Sequence, residues 1–516
     1  MQSQSQSQRK KAQRASHACD FCHSRGLRCR RSSQTNKSRA SIDHCLTCID
    51  YAVQCTLNRP IQKRGRKSTK TTRPQSRPNA YPPGNVQSDP GSAVQQLIRI
   101  YRDTMYQCYF PFLPEKDLLT RWGNGIPDPS TDGTSYMLLM ALCAVSSQTA
   151  ALNAVFDQAL VEGLPTTHNN NDEYYFTEAI SKLPTHIPSH PQLPQTKDPN
   201  QNQDQDDHLD SLRTFGLLAV YSLRQNNNPA LHRYLSLYHA LVAQTAFHDE
   251  SRWPAHISSD DVDDRRRLFW CVYRLEIHSA CVFSHPVRMP EAQVCVLYPR
   301  ITRAMDAETR AWTEGWDYIT DLFRLLEYAI FCLKGSGGGG GRGGGLHSRK
   351  TFLAVLCDRP SPGALLDSLR RVKRGKPEIL RGLSGSGSGE GFQSNRCMYM
   401  AVQIICTETL VTIMALLYCQ APAGEVMEIA EAFLDEVTKT PLIMFKVASS
   451  QIVHQLLGVG HMLRNASVYE NGRYRDEAKR LITFLGDVVR NLEHDIPSAA
   501  GAGERLLWLA EVTSLS

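Results

Sequence analysis

The sequence predicts a small cysteine-rich domain near the N-terminus, followed by a large all-α domain. Two observations lead to this fold class. First, the spacing Cys-x2-Cys-x6-Cys occurs twice, in CDFCHSRGLRC (19–29) and in CLTCIDYAVQC (45–55). Second, apolar residues recur at helical spacing from about residue 91 onwards, whereas the alternation typical of strands is scarce.

The net charge also differs between the N-terminal segment and the rest of the chain. The 516 residues carry a net charge of +7, but residues 9–77 alone hold 18 Lys/Arg and three Asp/Glu. This segment therefore carries +15 and the rest of the chain −8. A basic segment attached to an acidic body indicates that the basic segment has a polyanionic partner.

Residues 1–16, MQSQSQSQRKKAQRAS, are Gln/Ser-rich and then basic, and we predict that they are disordered. They also lack the apolar core of a signal peptide. The longest apolar stretch, residues 401–419, is interrupted by Glu408, which favours a buried helix over a membrane span. We therefore expect an intracellular protein with no membrane partner, where clustered cysteines are metal ligands rather than disulfides.

Residues 17–57 contain the repeated cysteine spacing, which fits two zinc ions per chain. Zinc prefers four sulfur or nitrogen ligands in a tetrahedron. Three cysteines leave one ion open, and six are too many for one ion. Two ions need eight ligand contacts, which six cysteines supply if two of them bridge both ions. The predicted ligands are Cys19, Cys22, Cys29, Cys45, Cys48 and Cys55. An alternative is a mixed site in which His17, His23 or His44 replaces a cysteine.

The spacers HSRGLR and IDYAVQ each suit a short helix, so we expect two short helices around the two zinc ions. Metal binding would provide most of the folding free energy, because so short a segment with few large apolar side chains makes a poor core.

The stretch ACDFCHSRGLRC…HCLTCIDYAVQC resembles the fungal binuclear zinc-cluster DNA-binding domain, Zn2Cys6, at all six ligand positions. The resemblance implies that Cys19 and Cys45 bridge the ions, and that the first helix faces the DNA major groove. It also implies that Arg28 reads a CGG-type triplet. The sequence departs from the family in the longer gap between Cys29 and Cys45, and in Gly26 at a position that is usually basic. These departures bear on the triplet preference.

The basic side chains near the cluster suit the same partner. Arg28 can bond both O6 and N7 of guanine, whereas Arg25, Arg30 and Arg31 are expected to contact phosphates. Residues 58–91 are a basic, Pro/Ser-rich linker. Its run KRGRKSTK is predicted to act in nuclear import and phosphate contact through Lys63, Arg64, Arg66 and Lys67, with minor-groove insertion as an alternative for RGR.

Residues 92–516 are predicted to form the all-α domain, with flexible insertions near 196–207, 335–345 and 382–391. The predicted helices include 135–163, which is apolar almost all round and so interior, and 262–283, which has an acidic start. Later helices are expected near 312–334, 350–372, 396–419, 424–467, 473–493 and 503–511.

This body resembles the fungal-specific transcription factor domain, or middle homology region, over roughly residues 92–300. The best matches are FHDESRWP (247–254) and DDRRRLFWCVYRLEIHSACVFSHPVRM (263–289). The resemblance implies a regulatory region that binds co-regulators or a small-molecule effector. The acids of His-Asp-Glu (248–250) and of Asp-Asp-x-Asp-Asp (260–264) are interpreted as helix caps and dipole partners rather than catalytic groups.

The sequence as a whole predicts a nuclear, sequence-specific regulator of RNA polymerase II genes, whose partner is double-stranded DNA. The alternative is a zinc-dependent protein-interaction module without specific DNA reading. No GxSxG, HExxH or dinucleotide fingerprint indicates an enzyme. Residues 92–110 are too short for sustained coiled-coil heptads, so homodimers and monomers both stay open.

Overall fold

The computed structural model divides the chain into two compact units, Met1–Gly84 and Asn85–Ser516, which are described separately here. In the first unit the structure describes Cys19, Cys45, Cys48, Cys55 and Thr56. In the second unit it describes residues 90–106, 111–123, 125–153, 171–183, 201–336, 362–380, 392–447, 449–469, 472–493, 496 and 499–515.

Apart from one isolated β-bridge between Asp249 and Cys295, the regular secondary structure of the second unit's described residues is helical, which confirms the predicted all-α body. The α-helices are α1 (Pro90–Ile100), α2 (Glu115–Thr120), α3 (Gly133–Asn153), α4 (Asn171–Ser181), α5 (Gln201–Arg224), α6 (Asn228–Thr245), α7 (Ser259–Phe283), α8 (Ala307–Ser336), α9 (Pro362–Arg374), α10 (Phe392–Tyr418), α11 (Ala423–Lys439), α12 (Leu442–Val447), α13 (Ser449–Tyr469), α14 (Arg475–Glu493) and α15 (Ala502–Leu515). A π-helical turn follows α1 at Tyr101–Tyr106, and short 3-10 turns occupy Glu250–Arg252, Glu291–Gln293 and Glu378–Leu380.

The ends of α6 and α7 follow from the local sequence. The Asn227 side chain caps α6 by accepting from the backbone N–H of Ala230 at 3.2 Å. The Ser258 hydroxyl caps α7 by accepting from the N–H of Asp261 at 3.1 Å, and the acids that follow lie in the first turn, where the helix dipole favours them. Helix α7 ends at Ser284, which adopts a left-handed conformation with φ 59°.

Two apolar helices form the interior, as their composition predicts. Helix α3 is buried on all sides between Met137 and Val145. Helix α10 includes the stretch Arg396–Tyr418, which is long and apolar enough to cross a membrane, but 83% of its most apolar 18 residues are buried inside the protein. Its one central charge, Glu408, accepts from the Tyr318 hydroxyl at 3.0 Å and from Lys376 Nζ at 3.2 Å. The predicted buried core helix is therefore confirmed.

Several boundaries differ from the sequence prediction. Residues 201–207, assigned to a polar insertion, form the start of α5. The single helix predicted near 424–467 is interrupted between α11 and α12, because the proline at 441 has no backbone N–H to continue α11. Helix α9 (Pro362–Arg374) confirms the later part of the helix predicted at 350–372, and residues 350–361 lie outside the described residues. The insertions at 335–345 and 382–391 lie outside the described residues, apart from the last two residues of α8.

Candidate metal centre

Four cysteine side chains meet in the first unit. Cys19, Cys45 and Cys48 are fully buried and Cys55 is 4% exposed. Their Sγ atoms all lie within 4.8 Å of one another. The Sγ of Cys19 is 3.8 Å from that of Cys45 and 3.5 Å from that of Cys48. Cys19 from the first half of the repeat thus joins all three cysteines of the second half.

The short spacing between Cys45 and Cys48 positions two of these sulfurs. The backbone N–H of Cys48 donates to the Sγ of Cys45 at 3.3 Å. A hydrogen bond to sulfur favours the thiolate over the thiol, because it stabilises the negative charge. Two residues between the cysteines are enough for the chain to turn and present both sulfurs to one point.

The sulfur geometry fits one tetrahedral zinc ion. A zinc–sulfur distance of about 2.3 Å places the ligands of a tetrahedral site about 3.8 Å apart. The separation of 3.8 Å between the sulfurs of Cys19 and Cys45 agrees with this value. Four sulfur ligands without a carboxylate are the set that zinc prefers over magnesium or calcium.

Four convergent cysteines can be thiolates together only if a cation is bound among them. Burial raises the pKa of the Cys48 thiol, and its contacts with the sulfurs of Cys19 and Cys45 raise it further. Thiolates cannot be packed together in a buried space unless a positive charge neutralises them. The chain would therefore hold zinc through the Sγ atoms of these four cysteines, and bound zinc would cross-link two segments separated by the Cys19–Cys45 interval.

The other predicted site residues lie outside the described residues. They are the ligands Cys22 and Cys29, and the DNA-contact residues Arg25, Arg28, Arg30, Arg31, Lys63, Arg64, Arg66 and Lys67. The same holds for the two short helices and for the three alternative histidine ligands. These assignments stay predictions, as does the second zinc ion.

In the second unit, the acids before α7 stabilise structure, as the sequence predicted. Asp249 caps the 3-10 turn by accepting from the N–H of Ser251 at 3.1 Å. Glu250 forms an ion pair with Arg266 and accepts from the N–H of Leu297 at 3.0 Å. Burial opposes ionisation of Glu250, but these two donors lower its pKa below the usual value.

Asp263 joins α7 to the segment that precedes α8. Its carboxylate accepts from Arg266 on its own helix at 3.1 Å, and from the backbone N–H of Arg300 at 3.1 Å. The guanidinium of Arg300 also donates to Asp263 at 3.1 Å. These contacts use the acids for helix capping and ion pairing, the structural role that the sequence predicted for them.

The sequence analysis missed a buried ion pair between Glu276 and Arg288. Glu276 is 0% exposed at the middle of α7. Its carboxylate accepts from the guanidinium of Arg288 at 2.6 Å and from the backbone N–H of Arg288 at 2.9 Å. His239 of α6 lies 3.6 Å from the same carboxylate. The pair fixes the SHPVRM segment against α7. A glutamate within an apolar helical run was the only sequence signal for it.

Comparison with known proteins agrees with this architecture. Residues 98–314 match the family model of the fungal specific transcription factor domain. The matched range includes both segments on which the sequence resemblance depends. Pyrimidine pathway regulatory protein 1 from Saccharomyces cerevisiae is 28% identical to this chain over 95 residues, which are 18% of this chain and 10% of that protein. The chain thus matches about a tenth of the length of that relative.

Residues 98–314 are therefore similar in sequence to the fungal specific transcription factor domain. The family match and the relative confirm the resemblance to fungal zinc-cluster transcription factors. The four buried cysteines add a site that suits zinc.

Proposed function

We propose that the protein is a nuclear regulator of RNA polymerase II transcription that reads CGG-like triplets in double-stranded DNA through a binuclear zinc cluster. The observation that carries this proposal is the convergence of four buried cysteine sulfurs within 4.8 Å, inside a segment of charge +15. A buried metal site explains how such a segment folds, and the excess of arginine and lysine explains what it binds.

The four convergent cysteines are compatible with a cluster of two ions. If Cys19 and Cys45 bridge, each ion takes both bridging thiolates and two further thiolates from one half of the repeat. For one ion these ligands are Cys19, Cys45, Cys48 and Cys55, which is the set that the structure brings together. The second ion would then take Cys22 and Cys29 with the same two bridging thiolates.

Side-chain chemistry indicates which basic residues would contact bases and which would contact phosphates. The guanidinium of Arg28 offers paired donors that match O6 and N7 of guanine in the major groove. Arg25, Arg30 and Arg31 would contact phosphates, as would Lys63, Arg64, Arg66 and Lys67 in the linker. The last four residues would also serve in nuclear import. The helical domain would transmit the state of a co-regulator or a small effector to transcription.

Zinc content and DNA selection test the proposal together. We expect two zinc ions per full-length chain, and enrichment of a CGG-containing motif from random duplexes. The substitution Cys48→Ser should abolish motif selection and lower the zinc content. Cys295→Ser is the matched control, because Cys295 is exposed and lies outside the cluster. Retention of motif selection by Cys48→Ser, or by the fully chelated protein, would disprove the zinc-cluster mechanism.

The alternative, a zinc-dependent protein-interaction module, makes a different prediction in the same assay. Such a module would bind zinc, but it would enrich no DNA motif and would show little dependence of duplex binding on salt. The charge of +15 on residues 9–77 favours DNA, because docking onto a protein does not require so large an excess of cations.

A further inference from the structure

Helix α9 lies in a basic segment of an otherwise acidic domain. Residues 334–381 hold 11 Lys/Arg and three Asp/Glu, whereas the rest of residues 78–516 holds 29 Lys/Arg and 45 Asp/Glu. The segment therefore carries +8 within surroundings of −16. Clustering like charges destabilises a folded domain, so this concentration calls for a function.

The packing of α9 directs three arginines to the surface. Leu365 is fully buried and Leu369 is 3% exposed, and these side chains anchor one face of the helix in the core. Arg370, Arg371 and Arg374 are exposed on the remaining surface. Arg370 and Arg374 are separated by one helical turn, so their like charges repel.

The lysines of the same segment have a structural role that these arginines lack. Lys373 Nζ lies 3.4 Å from Glu408 and Lys376 Nζ lies 3.2 Å from it, which joins the end of α9 to α10. Among the described residues, Arg371 and Arg374 form no ion pair. Arg370 pairs with Asp367 at 2.9 Å, but both side chains are more than two-thirds exposed, so this contact contributes little.

We propose that Arg370, Arg371 and Arg374 form a second phosphate-binding surface, which contacts the backbone of duplex DNA. The proposal rests on the proposed function, because it adds sequence-independent contacts to those of the zinc cluster. Guanidinium groups bind phosphate through paired donors, and phosphate contacts add affinity without reading sequence. The surface is part of the helical domain, to which the sequence analysis assigned no DNA contact.

The composition of the exposed face favours nucleic acid over an acidic protein. The exposed positions of α9 are Gly363, Ala364, Asp367, Arg370, Arg371 and Arg374. None is a large apolar or aromatic residue, whereas protein interfaces depend on such anchors for most of their binding energy. Three exposed arginines against a single exposed carboxylate are sufficient to bind a phosphodiester backbone, since counterion release drives the association.

The dependence of binding on salt measures this contribution. Each neutralised phosphate adds about −0.9 to the slope of log K against log salt, so three contacts account for up to about 2.7 of that slope. In about 0.1 M salt we expect the variant Arg370→Gln/Arg371→Gln/Arg374→Gln to bind a random-sequence duplex at least about tenfold more weakly than the parent chain. Its preference for the selected motif should be unchanged.

The experiment uses the full-length, zinc-loaded chain, with fluorescence anisotropy of a labelled random-sequence duplex as the readout. The control variant Arg252→Gln/Arg303→Gln/Arg310→Gln removes the same charge from three exposed arginines elsewhere in the domain. Equal thermal unfolding midpoints establish that both variants are folded. A smaller salt slope for the α9 variant alone supports the proposal.

Two outcomes would overturn the proposal that the α9 arginines contact DNA. If the α9 variant keeps the salt slope of the parent chain, the surface does not contact DNA, and an acidic protein segment becomes its partner class. If the control variant loses as much slope, net charge rather than the α9 surface is responsible. Failure of the zinc-cluster proposal is distinguishable from both, because it removes motif selection from the parent chain while leaving the comparison of slopes intact.

Discussion

Two histidines from distant parts of the chain meet in the core of the helical domain. His278 of α7 is 1% exposed, and its Nε2 lies 3.4 Å from Nδ1 of His454 in α13. The two rings stack with their centroids 5.6 Å apart. Burial lowers the pKa of His454 to about 4, and the positive charge of Arg505 adds to this effect. Burial also lowers the pKa of His278 well below its usual value.

Neutral buried histidines make the domain sensitive to acid. In the unfolded chain a histidine has a pKa of about 6.5, so below that pH the unfolded state binds a proton that the folded state does not. The stabilisation is therefore complete above about pH 6.5 and is lost as the pH falls towards the folded-state pKa. One pKa unit corresponds to about 1.4 kcal/mol, so His454 alone lowers the free energy of unfolding by about 2 kcal/mol at about pH 5.

Urea unfolding of the parent chain and of His454→Gln between about pH 7 and pH 5 measures this loss. Glutamine cannot be protonated, so the variant should lose about 2 kcal/mol less than the parent chain over that interval. His256→Gln serves as the control, because His256 is exposed. If the free energies of the parent chain and of His454→Gln fall in parallel, His454 is not a buried neutral group and the reasoning is refuted.

Three further outcomes are expected. Glu276→Ala should lower the free energy of unfolding by about 3–5 kcal/mol, because it leaves Arg288 without its buried partner, whereas Glu431→Ala at an exposed pair should cost less than about 1 kcal/mol in the same urea titration. Gly503→Ala should destabilise the domain by about 1–3 kcal/mol, because the added Cβ would lie 2.8 Å from backbone atoms of α14. Gly133→Ala is the control, because its Cβ meets no atom within 4 Å and should not destabilise the domain. Thermal unfolding compares the two variants. Zinc chelation should raise hydrogen exchange in residues 17–57 but leave the exchange of α3 and α10 unchanged; increased exchange in those helices would contradict separate folding of the two units.

Features that depend on residues close together in the chain could be predicted from the sequence. The repeated cysteine spacing predicted one site shared by both halves of the repeat, and the Cys19 sulfur converges with the three sulfurs of the second half. The apolar composition of α3 and α10 predicted interior helices, and both are buried. The acidic start of α7 predicted capping, and Ser258 caps it. Each of these follows from local chemistry or from the period of the helix.

The pairs of charged and polar side chains within the helical domain could not be predicted from the sequence. Glu276 meets Arg288 only because the segment after α7 folds back along that helix, and His278 meets His454 only because α7 packs against α13. The polar residues 201–207 carry no apolar period, so their inclusion in α5 could not be read from their composition.

The sequence by itself determined the candidate cysteine ligands, the helical class and the separation of a basic segment from an acidic body, because spacing, period and net charge are properties of the linear chain. Only the tertiary structure decided which buried charges are neutralised and which arginines of α9 form no ion pair with the described residues. Those outcomes depend on contacts between residues far apart in the chain. Such contacts form only once the helices have packed.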